Sequence, residues 1–451
     1  MNLLTQLSKY FFIFLMLLFT LRDFLYLTRK SEYRKRQLLR GQIVIMFVIT
    51  IFAFAIIFFH TLDVQVLILL AGILFYYAMT LIGYRLFYGR SSMLLVNNML
   101  MLLGIGLIMI ERLYPDQALK QFIIAAGSTA IAFVIPVMIR KLKILEKLTW
   151  LYAGIGIAAL LGVLALATVS GGAKLSLSVG GITVQFSEIV KITLVFFMAA
   201  KLSGDRSFKS VAVTTAVAAA HVIILVLSTD LGTALVFFVA YIVIVFVATR
   251  RPVYPLAGLT GGALAAVLAF RLFRHVRARV TAWQDPFAVY ETSGYQIVQG
   301  LFAISAGGWF GVGLYNGSPF MIPEVSKDFI FAAICEEFGG VFAICLVLVC
   351  MNLFLLIVSI SMKLHDRFYK LVAIGLGSEY AFQVFLTIGG VTKFIPMTGI
   401  TLPLVAYGGS SVVSTIIMLA IVQGMYILRE DEGDQIAIYK RSGRGNAGTD
   451  R

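Results

Sequence analysis

Residues 210–249 read SVAVTTAVAAAHVIILVLSTDLGTALVFFVAYIVIVFVAT, with Asp230 as the only formal charge. A helix needs about 20 mostly apolar residues to cross the hydrocarbon core of a bilayer. The stretch therefore reads as two spans, 210–228 and 230–249, joined by almost no loop. Asp230 falls at the start of the second span, where a carboxylate caps free N–H groups and suits the helix dipole. A cap and a functional group are compatible readings of it.

The rest of the chain has the same character. Of 451 residues, 60% are hydrophobic and 13% charged, and mean hydropathy is +0.95. Soluble domains run near 45–50% apolar and about 25% charged. An ordinary soluble enzyme, a disordered chain and a disulfide-stapled module are excluded. Runs long enough to span fall near 8–28, 41–60, 64–84, 93–111, 120–139, 149–169, 186–203, 210–228, 230–249, 255–272, 328–360, 371–392 and 410–428. The fold class is an all-α polytopic membrane protein. Arg22 and Asp23 interrupt the first run. The run at 328–360 exceeds one straight crossing, so part of it projects into a loop or tilts.

A net charge of +15 would suggest nucleic acid in a soluble protein; here membrane topology explains it, and no nucleic-acid partner is expected. Basic loops at 29–43, 85–90, 140–147, 201–209, 250–251 and 363–370 fall on one face, with the tail 430–451. The positive-inside rule makes that face cytoplasmic. The tail, polar and Gly-containing, is expected to be flexible and cytoplasmic. Thirteen spans place the N-terminus outside; twelve place it inside, if the first run only lies along the surface. Cys335, Cys345 and Cys350 lie in or near one apolar stretch and read as small apolar residues. The four histidines are scattered, so no metal site is predicted.

Two outer segments are long, 170–187 and 273–327. Intramembrane charges are rare and mark function or pairing. Glu188 and Lys191, three apart in FSEIVKITLVFF, share one helical face beside the first long segment. A self-neutralising pair is one reading, and the position beside the long segment favours a functional one. The second segment opens with Arg271, Arg274, His275, Arg277 and Arg279, against the positive-inside trend. Guanidinium groups bind phosphate bidentately, although a solvated or lipid-anchoring face has the same composition. Asp285 follows in WQDPF, where aromatic and proline neighbours would partly desolvate it and raise its pKa, as suits a general base; alone, Asp-Pro also marks a turn. Glu324, Asp328, Glu336 and Glu337 approach or enter the next span and must face protein or water. Gly311-Val-Gly313 lacks the spacing of a nucleotide fingerprint. KFIPMTGITLPLVAYGGSS, at 393–411, is non-helical in composition and reads as a cavity wall.

These segments resemble the SEDS family of bacterial wall polymerases, the FtsW, RodA and SpoVE group. The carriers are TGITLPLVAYGGSS at 398–411, DPF at 285–287, GYQIVQGLFAISAGGWFGVGL at 294–314, PE…DFIFAAICEEFG at 323–339, FSEIVK at 186–191 and DLGTAL at 230–235. They occur in family order. Departures at Phe186, Lys393, Thr401, Ala406 and Ser326-Lys327 leave the acidic positions intact. The resemblance implies a ten-span core over 91–429 with the large extracellular loop 273–327, preceded by two or three extra helices in 1–90. It implies an inverting glycosyltransferase that polymerises lipid II at the outer face of the cytoplasmic membrane and releases polyprenyl pyrophosphate. Asp285 is then the general base. Lys191, Arg277 and Arg279 are candidates for the pyrophosphate. Glu188, Glu324, Asp328, Glu337, Ser410 and Ser411 complete the candidate substrate-binding set. The expected partner is a class B penicillin-binding protein, a transpeptidase, besides membrane lipids. No organic cofactor is implied, and a divalent cation is left open. A lipid II flippase and a scaffold activating a partner synthase are the competing readings.

Overall fold

The computed structural model describes residues 2–142, 144–167, 176–179 and 182–446, with backbone alone at 2–5, 177–179, 182 and 433–446. Seventeen α-helices follow in order: α1 (Asn2–Thr28), α2 (Glu32–Thr61), α3 (Val64–Phe87), α4 (Met93–Leu113), α5 (Pro115–Ala132), α6 (Ile135–Lys141), α7 (Thr149–Leu166), α8 (Ser187–Gly204), α9 (Phe208–Leu227), α10 (Leu231–Thr249), α11 (Val253–Leu272), α12 (Arg274–Gln284), α13 (Tyr295–Gly307), α14 (Ile330–Phe338), α15 (Gly340–Lys363), α16 (Arg367–Val391) and α17 (Gly409–Asn446). Between α7 and α8, strands β1 (Leu177–Val179) and β2 (Ile182–Val184) pair antiparallel. Most of the predicted outer segment 170–187 otherwise lies outside the described residues.

Twelve stretches among the described residues are long and apolar enough to cross a membrane. A thirteenth, α8, carries Glu188, Lys191 and Lys201 within its 18 residues and is more polar. It nonetheless packs inside the bundle, against α7, α10 and α16. Burying charge there is tolerable because the charges face protein partners and not lipid.

The first run is a helix packed against the bundle. Phe12, Met16 and Phe19 of α1 are fully buried, and α1 lies against α2 and α15. Its interrupting Asp23 is fully buried and accepts hydrogen bonds from Gln42 (3.3 Å) and Asn98 (3.2 Å). The centre of the bundle is α4, whose residues Leu94–Leu113 are all buried. Gly106 on α4 faces the Val405 carbonyl so closely that a Cβ would come within 2.4 Å. Its lack of a side chain lets the strap before α17 lie directly on the central helix.

The long apolar run at 328–360 is two helices. Gly339 adopts φ 89° between α14 and α15, a region that favours glycine. The loop after α13 interlocks with this break: Val312 and Gly313 N–H donate to the carbonyls of Glu336 and Glu337 (both 2.9 Å), and Gly340 N–H to Gly308 (2.8 Å). Gly311, at φ +74°, would place a Cβ 2.4 Å from the Glu337 carbonyl. Gly311-Val-Gly313 is therefore a backbone lock. Gly311→Ala should lower stability by about 1–3 kcal/mol or more, from the strained φ and the clash together. A thermal midpoint in detergent unchanged from wild type would refute this.

At the far end, α17 continues to Asn446, through most of the segment expected to be a flexible tail. Asp431 binds Arg90 (2.8 Å) and Arg140 (2.6 Å), which anchors the extension's first turn to the bundle.

Candidate active site

The predicted 273–327 loop is largely structured. Of the basic cluster, Arg271 lies at the end of α11 and Arg274, His275, Arg277 and Arg279 fall on α12, with Asp285 as its C-cap. Ala278, Arg279 and Ala282 of that helix, Ser293, Gln296 and Ile297 around the start of α13, and Asp328, Met397 and Gly399 enclose a cleft of about 240 Å3. Asp285 lies six positions after Arg279. At 1.5 Å per residue that is roughly 9 Å along the helix.

Asp285 is exposed, contrary to the expected desolvation. Its aromatic neighbours in sequence do not close over it: Trp283 turns to the Lys393 carbonyl (3.1 Å) and Phe287 is itself exposed. Its Oδ1 accepts from the N–H groups of Phe287 (3.2 Å) and Ala288 (3.1 Å). This fixes the carboxylate while leaving the second oxygen to solvent or substrate.

Arg279 is half-buried and donates to the Thr398 carbonyl (3.2 Å). Burial pulls its guanidinium below the usual value, and the negative charges of Asp230 and Asp328 oppose that shift. Asp328 has one carboxylate oxygen buried without a partner. Burial pushes its pKa up to about 7, against the opposing pull of its backbone hydrogen bond. The native state thus holds a proton that the unfolded chain releases from about pH 4 upward. Stability from this group is present at low pH and lost as pH rises through 7. Asp328→Asn should therefore gain thermal stability relative to wild type between pH 4 and 8. A constant difference across that range would contradict the argument.

The strap 393–408 forms the floor. Trp283 donates to the Lys393 carbonyl (3.1 Å), Thr387 to Ile400 (3.0 Å) and Gln383 to Thr401 (3.2 Å). Beneath it α8, α16 and α17 converge. Lys191 binds Glu188 (2.5 Å) and Gln383 (3.0 Å), and Ser414 donates to Glu188 (2.8 Å). Glu379 is fully buried with neither oxygen partnered. Ser411 pairs with Thr401 (3.2 Å), and Ser410 accepts from the Gln185 N–H (2.9 Å). Asp230 caps α10 by accepting from Thr233 N–H (3.1 Å), and also accepts from Ser187 (3.2 Å). Asp230 is thus a cap that also joins a polar column with Ser187.

The predicted residues thus fall into distinct places. Arg279 and Asp328 line the cleft, with Asp285 at the end of the helix that forms one wall. Glu188, Lys191, Ser410 and Ser411 lie below the strap. Arg277 is exposed and absent from the lining. Glu324, also exposed, pairs with Lys327 (2.8 Å). Glu337 faces away, toward α4, where it binds Arg112 (3.1 Å); burial pushes its pKa up to about 7. Sequence reasoning missed Arg112, Glu379 and Gln383. Arg112 and Glu379 carried a legible signal, since both are charges within predicted or adjoining apolar spans. Among the described residues no three His, Cys, Asp or Glu side chains are placed to hold a metal ion.

The family model of FtsW, RodA and SpoVE, described as a cell cycle protein, matches residues 86–430. The peptidoglycan glycosyltransferase RodA of Mycobacterium tuberculosis is 33% identical over 368 residues, 75% of this chain and 78% of that protein. Stage V sporulation protein E of Bacillus subtilis is 32% identical over 353 residues, 73% of this chain and 94% of that protein. A solved structure described as "Structural coordination of polymerization and crosslinking by a peptidoglycan synthase complex" contains a similar chain. The TM-score is 0.64 at 25% identity, over 76% of this chain and 98% of that one. The family match opens just before α4, after α1 and α2 and most of α3.

Proposed function

This chain belongs to the FtsW, RodA and SpoVE family of cell cycle proteins, and we propose that it is a peptidoglycan glycosyltransferase whose α12 cleft joins lipid II units into β-1,4 glycan. It is a multi-pass protein of the bacterial membrane. Asp285 takes the proton of the acceptor's 4-hydroxyl. The hydroxyl oxygen attacks the donor's anomeric carbon as the bond to polyprenyl pyrophosphate breaks, and the electron pair leaves on the pyrophosphate, inverting the centre. Developing negative charge on the leaving group calls for fixed cations. Arg279 meets that need in the cleft and exposed Arg277 meets it at the rim, whereas Lys191 is already neutralised by Glu188. The remaining candidates hold the walls.

The observation that carries this reading is the placement of Asp285 and Arg279 on one short helix beside a cleft. Arg279 lines the cleft and suits the departing phosphates, and exposed Asp285 at the end of the same helix suits the attacking hydroxyl. The basic loops at the opposite end support an outward-facing cleft and a cytoplasmic C-terminus. A class B penicillin-binding protein is the partner we infer, since the similar solved chain comes from a synthase complex.

The test is glycan synthesis from labelled lipid II by the purified protein, with and without a transpeptidase partner. Muramidase-sensitive polymer is the expected product. Lipid II movement across vesicles with no polymer under any partner condition would instead establish a flippase. Arg279→Ala should cut kcat by about a hundred- to a thousandfold, the usual effect of removing one group that stabilises a transition-state oxyanion. Arg277→Ala should do less, and equal losses would place the leaving group at the rim.

A further inference from the structure

The cleft wall opposite α12 begins at Asp328, just ahead of α14, and α14 is gripped at its other end by helices that precede the family match. Lys9 of α1 donates to the buried Gly311 carbonyl (3.0 Å). Tyr10 packs on Phe310 (5.7 Å between centroids), and Phe12 meets Phe338 edge-on (5.2 Å). His60, at the end of α2, stacks on Tyr315 (4.6 Å). The Arg112 guanidinium lies 4.0 Å from the centroid of the same Tyr315 ring and holds Glu337. The backbone lock 308–313 thus sits between α14 and the N-terminal helices.

These helices are themselves fixed in register. Asp23, Gln42, Asn97, Asn98 and Asn352 are all fully buried. Gln42 and Asn98 donate to Asp23; Asn97 donates to Gln42 (3.1 Å) and Asn98 to Asn352 (3.3 Å). The network joins α1 and α2 to α4 and α15. A polar group displaced from it would face hydrocarbon, so the docked position is specific.

We propose that α1 and α2 form an intramembrane brace for the cleft. Lys9 and His60 are positioning residues that hold the 308–321 loop and α14, and through α14 they set Asp328 against Arg279. The proposal rests on the cleft being the glycosyl-transfer site. It adds that this chain's reaction geometry depends on helices outside the family-matched region.

The full-length protein carrying Lys9→Met, Lys9→Arg, Asp328→Asn or Lys9→Met with Asp328→Asn decides it. Hydrogen exchange would be read at 308–314 and 326–333, together with kcat and KM for polymerisation. Lys9→Met should speed exchange in both segments. It should lower kcat by about three- to tenfold with KM little changed, a typical size for coupling through packed elements. Lys9→Arg should restore both readouts. In the Asp328→Asn background the Lys9→Met effect on kcat should shrink to within about twofold, because the two act along one path. Faster exchange confined to 308–314, or fully additive losses in kcat, would overturn the brace. Wild-type protein that makes no polymer would defeat the glycosyltransferase reading instead, and exchange at 326–333 would still decide the brace. His60→Ala, assayed beside them, should behave as a milder Lys9→Met, and wild-type behaviour in both assays would remove His60 from the brace.

Discussion

Asp285→Ala abolishes glycan polymerisation while leaving the fold intact: that is the expected result, with kcat lower by about a hundred- to ten-thousandfold, the range for loss of a general base. The structure argues that the fold survives. Asp285 is exposed, and among the described residues its side chain accepts only from the N–H groups of Phe287 and Ala288 in its own turn. Losing that turn costs about 0.5–1.5 kcal/mol per hydrogen bond, too little to unfold a bundle whose core lies elsewhere. Asp285→Asn is the sharper variant. The amide oxygen can still accept both bonds, so the turn is kept and only the basic carboxylate is lost. The measurement is single-turnover polymerisation of labelled lipid II, with thermal midpoint as the control. Undiminished polymer from Asp285→Asn would remove this residue from the proton transfer, and Asp328 would be the next carboxylate to test.

Lys191→Met should destabilise the protein by about 3–5 kcal/mol, the typical cost of stripping one partner from a buried ion pair. Glu188 would keep only the Ser414 hydroxyl. Gln383 would lose its donor, and nearby Glu379 already has neither oxygen partnered. Adding Glu188→Gln to Lys191→Met should restore most of the stability by removing the stranded charge. The two readings of the pair separate in the double variant. Restored stability with restored polymerisation makes the pair a device for inserting α8. Restored stability without polymerisation assigns Lys191 a role toward substrate. A single variant as stable as wild type would show the pair to be uncoupled from folding.

The helical spans were legible because a bilayer-crossing segment must satisfy its backbone within itself and show apolar side chains along about 20 residues. All thirteen predicted runs correspond to helices. The division of the 328–360 run was readable only as excess length, since Gly339's left-handed conformation is set by the loop that docks on it. Asp285 and Arg279 were found from local composition and the motifs around them. Glu337 was grouped with them by proximity in sequence, but α14 turns it toward Arg112, some 225 residues away in the chain. Glu379 was missed although a charge within a span is itself a signal; its neighbours Lys191 and Glu188 lie on another helix.

By itself the sequence determined the membrane-spanning architecture, the position of the long segments between spans and the short list of polar residues that lipid would not tolerate. Those are one-dimensional consequences of transfer free energy along a chain. Only the tertiary structure decided that Asp285 stands in solvent, that Arg279 and Asp328 share a cleft, and that Lys9 reaches a carbonyl at Gly311. Each depends on side chains from remote helices meeting at a few ångströms, and helix crossing and loop docking set those distances.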